Sequence, residues 1–415
     1  MPESLLESYR ALDLTDEKGF LCGKILGDMG ADVIKIEPPG GDPSRNREPF
    51  YHNTPDPNKS LYWFAYNANK RGITLDIETK DGQQIFKSLA KHADFVIESF
   101  SPGYLESLGL GYEDLSQVNP RLILTSITPF GQNGPYSHYK ASDIVSMAMG
   151  GLMYPTGDTD RPPVRVSFPQ SYLHGGAAAA AGTMIAFYYR QISGEGQQVD
   201  VSIEEAVIRA TLQPRMFWDV AGKILERAGQ FRTGLSSKVN QRLIWRCKDG
   251  WINFPLLGGA AGAARSNRAM VEWLDSEGLA SDFLRAQDWS KFDMAQATEI
   301  AVHLEKPLSK FFMNYTKAEL MEGSTNRRIM LYPVFTIEDI ANCAQLKARE
   351  FWEEVEHPEL AASITYPGAF IKMSQTPCQI RRCAPLIGEH NDDVYQGGLG
   401  LSKEEILTLK QGGVI

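Results

Sequence analysis

Strand and helix patterns alternate regularly over the first 200 residues. The strand patterns are ADVIKIE, GITLDIE, DFVIESF and RLILTSITPFG, and the helical patterns include GFLCGKILGDMG, which ends at Gly30, and DGQQIFKSLAKHA. Such alternation is typical of a parallel sheet covered by helices, because parallel strands need a crossover between them. The sequence therefore predicts an α/β fold with a Rossmann-like sheet.

The pattern changes character at about residue 225. Before it, ASDIVSMAMGGLMY and GGAAAAAGTMIAFYYR are predicted helices, and GQQVDVSIEEAVIRATL is a strand that runs into a helix. After it, LIWRCKDGWINFPLL predicts a hairpin, and a GGAAGAA loop and two amphipathic helices follow. We predict a smaller α+β domain here, then a strand and helix from about 331 and a C-terminal helix, SKEEILTLKQGG.

Charge and hydropathy exclude two classes of partner. A net charge of −9 argues against nucleic-acid binding, which needs clustered lysine and arginine. No apolar run approaches the roughly 20 residues of a membrane span, and MPESLLESYRALDLTDEKG lacks the basic start and apolar core of an export signal. We predict a cytoplasmic protein that contacts neither nucleic acid nor membrane.

The five cysteines are scattered and odd in number. Only Cys378 and Cys383 are close in sequence, and their spacing does not indicate a zinc site; the other three are Cys22, Cys247 and Cys343. We predict buried, reduced thiols and no metal.

The usual phosphate-binding glycine motifs are missing. No GxGxxG follows a strand, and no GxxxxGK[ST] occurs. A phosphate-bearing ligand would then need cationic side chains, for which Lys70, Arg71 and Lys140 are candidates, although a single lysine is more often a solvated surface residue. The residues by themselves thus indicate an α/β enzyme of unknown ligand.

Five stretches, in order, resemble a known family. They are LGDMGADVIKIEPPGGDPSR, NANKRGITLDIETKDG, VIESFSPGYLESLGLGYEDLSQVNPRLILTSITPFGQNGPY, ISGEGQQVDVSIEEA and CAPLIGEHNDDVYQGGLGLSKEEILTLKQGGVI. Over nearly its whole length the chain is similar to the class III (CaiB/BaiF) CoA-transferases, which include formyl-CoA, carnitine and benzylsuccinate CoA-transferases. The family also contains α-methylacyl-CoA racemases, so the resemblance alone does not fix the reaction.

The resemblance implies an architecture and a substrate class. We expect a large Rossmann-like domain over 1–225, a small domain over 226–330, and a C-terminal segment, 331–415, that returns to the large domain. Two such chains would thread through each other as interlocked rings. Coenzyme A and acyl-CoA would be substrates, with no permanently bound cofactor and no metal.

The resemblance also places a catalytic position at Tyr172. Family transferases carry an aspartate there, whose carboxylate attacks the acyl-CoA carbonyl to give a mixed anhydride and then an aspartyl-CoA thioester. The flanking PPVRV and GQQVDVS align without a gap, and the nearest acidic residues in sequence, Asp158, Asp160 and Glu195, are too far along the chain to replace it. Because a phenol of pKa about 10 is mostly neutral at pH 7, we interpret Tyr172 as a structural or substrate-contacting residue.

Two neighbours remain candidates for chemistry. His174 is a possible base, but two residues further along the helix it points elsewhere than Tyr172. Asp143 matches an acidic residue close to the family's active site. Family racemases pair the aspartate with a histidine in a GHD segment, which here reads Ala141-Ser142-Asp143, so both proton-transfer groups are missing.

Part of the family's CoA site survives in the sequence. The resemblance implies CoA contacts from Asn67, Lys70, Ser99, Phe100 and Lys140. It also implies a mobile glycine loop over the reaction centre, formed by Gly258, Gly259 and Gly262.

Other contacts are lost. Ser107 stands where the family commonly has an arginine, TDEKGF is one residue shorter than the family's loop, and Pro38 stands where some members have a basic residue. These changes predict a weakened nucleotide pocket.

Three functions remain open. The first is the non-nucleophilic subunit of a heteromeric CoA-transferase, whose homologous partner supplies the aspartate; the nearest precedent is succinyl-CoA:benzylsuccinate CoA-transferase, which is built from two related chains. The second is a stand-alone acyl-CoA transferase, hydrolase or lyase that uses another route. The third is a non-catalytic CoA-binding homologue.

Overall fold

The computed structural model describes residues 4–233, 240–258, 261–292 and 297–415. These residues form two compact units. The first holds residues up to 152, 165–212 and 347–415, and the second holds 153–164 and 213–346. None of the described helices combines the length and the apolar character that crossing a bilayer requires.

A six-stranded parallel sheet lies at the centre of the first unit. Its strands are β1 Arg10–Asp13, β2 Asp32–Glu37, β3 Lys70–Thr74, β4 Phe95–Glu98, β5 Ile123–Thr128 and β6 Gln198–Ser202. Their order across the sheet is β3-β2-β1-β4-β5-β6, and every neighbouring pair is parallel. The predicted α/β class with a Rossmann-like parallel sheet is therefore confirmed.

Helices lie between these strands along the chain, with one more after the last strand, and helices pack on both faces of the sheet. They are α1 Phe20–Asp28, α2 Leu61–Asn67, α3 Lys80–Ala90, α4 Tyr104–Ser107, α5 Tyr112–Val118, α6 Asp143–Met149, α7 Ser171–Ser193 and α8 Ile203–Ile208. Successive residues of a strand face opposite sides. Accordingly, Ala11 joins the apolar cluster that contains α1 and α7, whereas Leu12 joins the cluster that contains α3.

The central strand β1 was missed by the sequence patterns. It has four residues and ends at Asp13, a fully buried carboxylate, so it lacks the apolar run that marked its neighbours. Strand β3 also differs from its prediction: it begins at Lys70, before the predicted GITLDIE, and ends at Thr74.

The second unit contains the predicted hairpin. Its elements are β7 Phe231–Thr233, β8 Asn240–Arg242, β9 Ile244–Cys247, β10 Gly250–Asn253, α10 Ala261–Ser276, α11 Asp282–Ala286, α12 Ala297–Phe312, α13 Lys317–Arg327, β11 Tyr332–Val334 and α14 Ile337–Ala341, while α9 Leu212–Ala221 and α15 Ala344–Ala348 lie at its borders. Strands β9 and β10 pair antiparallel, as LIWRCKDGWINFPLL predicts, and β11 adds to β10.

The C-terminal part of the first unit packs against the edge strand β3. It comprises the antiparallel pair β12 Trp352–His357 and β13 Ala362–Pro367, and then α16 Lys403–Gln411, which confirms the predicted C-terminal helix. The Tyr395 hydroxyl donates to the carbonyl oxygen of Thr74 at 2.5 Å. The backbone N–H of Asp76 donates to the carbonyl oxygen of Val414 at 2.7 Å.

All five cysteines are free. Cys22, Cys247 and Cys378 are buried, as predicted, whereas Cys343 and Cys383 are partly exposed.

Candidate active site

The alanine-rich helix α7 begins against the carboxylate of Asp143. The backbone N–H of Gln170, the backbone N–H of Ser171 and the Ser171 hydroxyl all donate to Asp143 Oδ1, each at 2.8 Å. A carboxylate at a helix N-terminus satisfies N–H groups that have no partner within the helix. Asp143 thereby fixes the start of α7, and the next residue is Tyr172.

Tyr172 is buried, with 7 % of its surface exposed. Burial raises the pKa of its hydroxyl to about 12, and the negative charges of Glu17 and Asp16 add to the effect. The phenol is therefore neutral at physiological pH and has almost no phenolate to act as a nucleophile.

A cavity of about 350 Å³ opens beside Tyr172 within the first unit. Its lining is mainly aromatic and apolar: Leu21, Pro49, Tyr62, Tyr66, Phe168, Pro169, Tyr172 and Leu173, with Glu17, Arg47 and Glu48 as its charged members. The volume is within the usual range for small-molecule sites, and apolar walls with a few polar groups are their usual composition.

Glu17 and Arg47 form an ion pair in this cavity. Arg47 Nη2 lies 2.5 Å from Glu17 Oε2. Burial raises the pKa of the Glu17 carboxyl, and the positive charge of Arg47 only partly offsets it. The Arg47 guanidinium also lies over the Tyr62 ring, 5.1 Å from its centroid.

Sequence reasoning missed both members of this pair. The sequence argument considered only acidic residues that are close to Tyr172 along the chain. Glu17 is distant in sequence, but it directly precedes α1, and α1 packs on α7. The available signal was the altered TDEKGF loop, whose acidic residues were not tested as site groups.

His174 and Asp143 occupy different surroundings. The half-buried His174 is not among the residues that line the Tyr172 cavity. Asp143 is buried and its Oδ1 already accepts three hydrogen bonds. Neither geometry favours a free base next to Tyr172.

Lys70 and Asn67 lie together inside the first unit. Lys70 Nζ donates to Asp13 Oδ2 at 2.8 Å, to Asn67 Oδ1 at 2.9 Å and to the Phe20 carbonyl oxygen at 3.0 Å. An ammonium has three protons, so the fully buried Lys70 has none left for a ligand. A direct CoA contact from Lys70 stays a prediction. The buried position of this lysine and its three internal hydrogen bonds do not favour such a contact.

Ser99 and Phe100 line a second cavity, of about 560 Å³, at the carboxyl ends of the strands. This edge, near the point where the strand order reverses between β1 and β4, is where open parallel sheets bind ligands. Pro38 also lines it, and its charged lining residues are all acidic: Asp16, Glu37, Asp42, Asp76 and Glu78. Lys140 is exposed on the loop before α6 and is not among the lining residues.

The predicted glycine loop is only partly described. Gly258 precedes α10 in the second unit, and Gly259 lies outside the described residues. Gly262 belongs to helix α10, so the loop is shorter than predicted.

One group of side chains in the described residues has the spacing of metal ligands. Atoms of His357, Glu359 and Cys383 lie within 4.8 Å of one another. Both ring nitrogens of His357 are hydrogen-bonded, Nδ1 to Glu359 at 2.8 Å and Nε2 to the Tyr366 hydroxyl at 2.9 Å. These bonds account for the cluster without an ion.

Comparison with known proteins gives the family. Residues 6–391 match CoA-transferase family III. The chain belongs to this family, which confirms the resemblance carried by the five sequence stretches.

Two relatives extend over nearly the full chain. The chain is 36 % identical over 398 residues to the succinyl-CoA:(R)-benzylsuccinate CoA-transferase subunit BbsE of Thauera aromatica, covering 93 % of this chain and 92 % of the relative. It is 31 % identical over 418 residues to the succinyl-CoA–D-citramalate CoA-transferase of Chloroflexus aurantiacus, covering 100 % and 99 %. In fold, it is similar to a CAIB/BAIF family protein from Brucella suis, with a TM-score of 0.80, 24 % identity, and 96 % and 100 % of the two chains covered.

Proposed function

We propose that this chain is the non-nucleophilic subunit of a CoA-transferase, which moves CoA from an acyl-CoA donor such as succinyl-CoA to a carboxylic acid. A homologous partner chain supplies the catalytic aspartate, and the two chains form the interlocked ring pair of the family. The observation that carries the proposal is Tyr172, a buried phenol whose pKa is raised to about 12 at the position of the family nucleophile. The name of one relative, a transferase subunit, supports it.

The partner's carboxylate would carry the covalent steps. Its oxygen attacks the thioester carbonyl of the donor, the C–S bond breaks, and CoA leaves as a thiolate while the acyl group stays on the aspartate as a mixed anhydride. The thiolate then attacks the aspartyl carbonyl, releases the donor acid and leaves an aspartyl-CoA thioester. The acceptor acid takes CoA by the same two steps in reverse.

The acidic cavity at the carboxyl edge of the sheet favours a role in which this chain does not itself hold CoA. Five carboxylates and no lysine or arginine line it. Glu37 is paired with Arg45 and Asp16 with Lys18, which leaves the charges of Asp42, Asp76 and Glu78 without a basic partner among the described salt bridges of the lining. Phosphate groups of CoA would be repelled there, since like charges disfavour binding. CoA is then held by the partner's corresponding site.

Native mass spectrometry of the protein isolated from its source tests the proposal. We expect a complex that contains this chain and a related chain of similar size, with transferase activity that falls more than 100-fold when the partner's aspartate is changed to asparagine. A pure homomer with full transferase activity would overturn the heteromeric assignment.

A second candidate is favoured by Glu17. This carboxylate lines the same cavity as Tyr172, so it is a group from which a stand-alone enzyme could form the acyl anhydride and then a glutamyl-CoA thioester. In that case an active homomer would lose its activity in Glu17→Gln, and hydroxylamine would trap the acyl group on Glu17. A non-catalytic homologue would show neither a partner nor turnover.

A further inference from the structure

Three residues in the C-terminal part of the first unit bring metal-binding atoms together. His357 ends β12, Glu359 lies in the turn before β13, and Cys383 comes after β13 in the chain. A ring nitrogen, a carboxylate oxygen and the thiol sulfur of these residues lie within 4.8 Å of one another. Nitrogen, oxygen and sulfur donors together suit zinc, whereas Mg²⁺ and Ca²⁺ prefer oxygen ligands alone.

The separations are close to those around a single ion. His357 Nδ1 lies 2.8 Å from Glu359 Oε1. Two nitrogen or oxygen ligands of a tetrahedral zinc ion stand about 3.4 Å apart, so a small widening admits the ion between them. Cys383 belongs to no helix or strand, so its side chain can turn toward the ion without disturbing regular structure.

The imidazole of His357 is already oriented for such a role. Its other ring nitrogen, Nε2, lies 2.9 Å from the Tyr366 hydroxyl, and both residues are buried. The ring also packs against Phe64, with the centroids 4.5 Å apart. Histidines that bind metal usually have their second ring nitrogen hydrogen-bonded, which fixes the tautomer and the ring orientation. The contacts that satisfy this cluster without an ion therefore also arrange it for one.

The charges around the sulfur favour a cation. Burial raises the pKa of the Cys383 thiol, and the negative charges of Glu359 and Glu389 raise it further, against a smaller opposing effect of Arg382. A divalent ion would be neutralised by one carboxylate and one thiolate, so the occupied site would bury no net charge. The Glu359 side chain keeps 19 % of its surface exposed, which provides an entry path from solvent.

We propose that His357, Glu359 and Cys383 form a binding site for a zinc ion, which ties the β12–β13 pair to the segment that follows it. The ion takes the lone pair of His357 Nδ1, one oxygen of Glu359 and the sulfur of Cys383, and a water molecule completes four ligands. The thiol releases its proton to solvent, and the neutral imidazole then carries its proton on Nε2, which donates to the Tyr366 hydroxyl.

This inference goes beyond the proposed function. None of the three residues lines the cavity beside Tyr172 or the acidic cavity at the sheet edge. The sequence pattern predicted no metal, because Cys383 was compared only with its neighbours along the chain, and His357 and Glu359 reach it only through the fold.

Cobalt spectroscopy of the full chain tests the site. The protein is stripped with a chelator and titrated with Co²⁺, which replaces zinc and is coloured. We expect a thiolate-to-cobalt charge-transfer band and the strong visible bands of a tetrahedral ion, both abolished by Zn²⁺. Zinc should also raise the Tm by at least about 2 °C, whereas Mg²⁺ should not. A Co²⁺ spectrum without the thiolate band, or a Tm that zinc leaves unchanged, would overturn the proposal.

Variants locate the ion. Cys383→Ser should remove the charge-transfer band and weaken Zn²⁺ binding by at least about tenfold, and Glu359→Gln, in an exposed turn, should weaken it similarly. Cys343→Ser is the matched control, because Cys343 is also a partly exposed free cysteine but lies in the second unit. Circular dichroism confirms the fold of each variant. An unchanged spectrum in Cys383→Ser, or its loss in Cys343→Ser, would place the metal elsewhere and overturn the proposal.

Discussion

Lys70 and Asp13 form an ion pair inside the first unit, with Lys70 Nζ 2.8 Å from Asp13 Oδ2 and both side chains fully buried. Burial acts to raise the pKa of the Asp13 carboxyl, but the charges of Lys70 and Lys35 outweigh it and hold that pKa below its usual value. The pair joins the last residue of β1 to the first residue of β3 across β2, so it ties the two strands together at this point of the sheet.

This pair predicts that Lys70 is a structural residue. Lys70→Ala should lower the free energy of unfolding by up to about 3–5 kcal/mol, because it removes the nearer of the two lysines that pair with the buried Asp13 and leaves only Lys35, at 3.7 Å. Urea denaturation measures it, and the double variant Asp13→Asn/Lys70→Met should recover much of the loss. A Lys70→Ala protein of normal stability that binds CoA more weakly would instead support a ligand contact.

Glu98 predicts a pH dependence of stability. Burial raises the pKa of its carboxyl to about 7, despite hydrogen bonds from Ser126 and the backbone of Phe100. Between its ordinary value of 4.5 and about 7 the folded state then binds more protons than the unfolded state, so this group's contribution to stability falls as the pH rises.

Glu98→Gln should remove that contribution. We expect the difference in unfolding free energy between pH 5 and pH 8 to shrink by roughly 1–3 kcal/mol relative to the unchanged protein. Urea titrations of both proteins at the two pH values measure it. An identical pH dependence in the two proteins would show that Glu98 does not titrate in this range.

The hydrogen bonds of Asp143 predict that its replacement lowers the stability of the fold and does not remove a catalytic group. Asp143→Ala removes the acceptor of three hydrogen bonds at the start of α7, and should cost about 1–3 kcal/mol. The neighbouring Ser142→Ala makes a matched control, because Ser142 is exposed and makes no side-chain cap. Normal stability with lost turnover in Asp143→Asn would argue for a catalytic base instead.

Gly176 predicts that the contact between α1 and α7 is tight. A Cβ at Gly176 would lie 2.9 Å from the Cβ of Leu21 and 3.3 Å from the backbone nitrogen of Cys22. Gly176→Ala should therefore destabilise the protein by about 1–3 kcal/mol, although alanine normally favours a helix.

Gly182→Ala, in the same helix, is the control. Its Cβ would meet only the side-chain tip of Val199, which can move, so we expect a change of less than about 1 kcal/mol. Thermal unfolding of the two variants tests this, and equal effects would indicate that the α1–α7 contact tolerates extra volume.

The parallel sheet could be read from the sequence where strands are apolar. Strand β2 and strand β5 are apolar runs next to helical patterns, and they were predicted close to their observed bounds. Strand β1 was not predicted, because a buried Asp13 is compatible with a strand only when Lys35 and Lys70 lie beside it. That requirement depends on the pairing of the strands, which no local pattern contains.

The candidate site was predictable in part. The sequence alone placed Tyr172 at the start of an alanine-rich helix, and the resemblance marked it as the position of a lost nucleophile. The cavity beside it, with Glu17 and Arg47, depends on segments that are far apart in the chain. Charged side chains in loops have no periodicity, so the altered TDEKGF loop could draw attention to Glu17 but could not show that it meets Arg47.

The sequence by itself determined the α/β class, the family and the absence of an aspartate at residue 172. Periodicity, turn residues and motifs are local properties of the chain, so they can be recognised without knowledge of the fold. Only the tertiary structure decided that Lys70 pairs with Asp13, that Asp143 holds the start of α7, and that Arg47 faces a cavity. The reason is physical: a charge acquires its role from its burial and its neighbours in space.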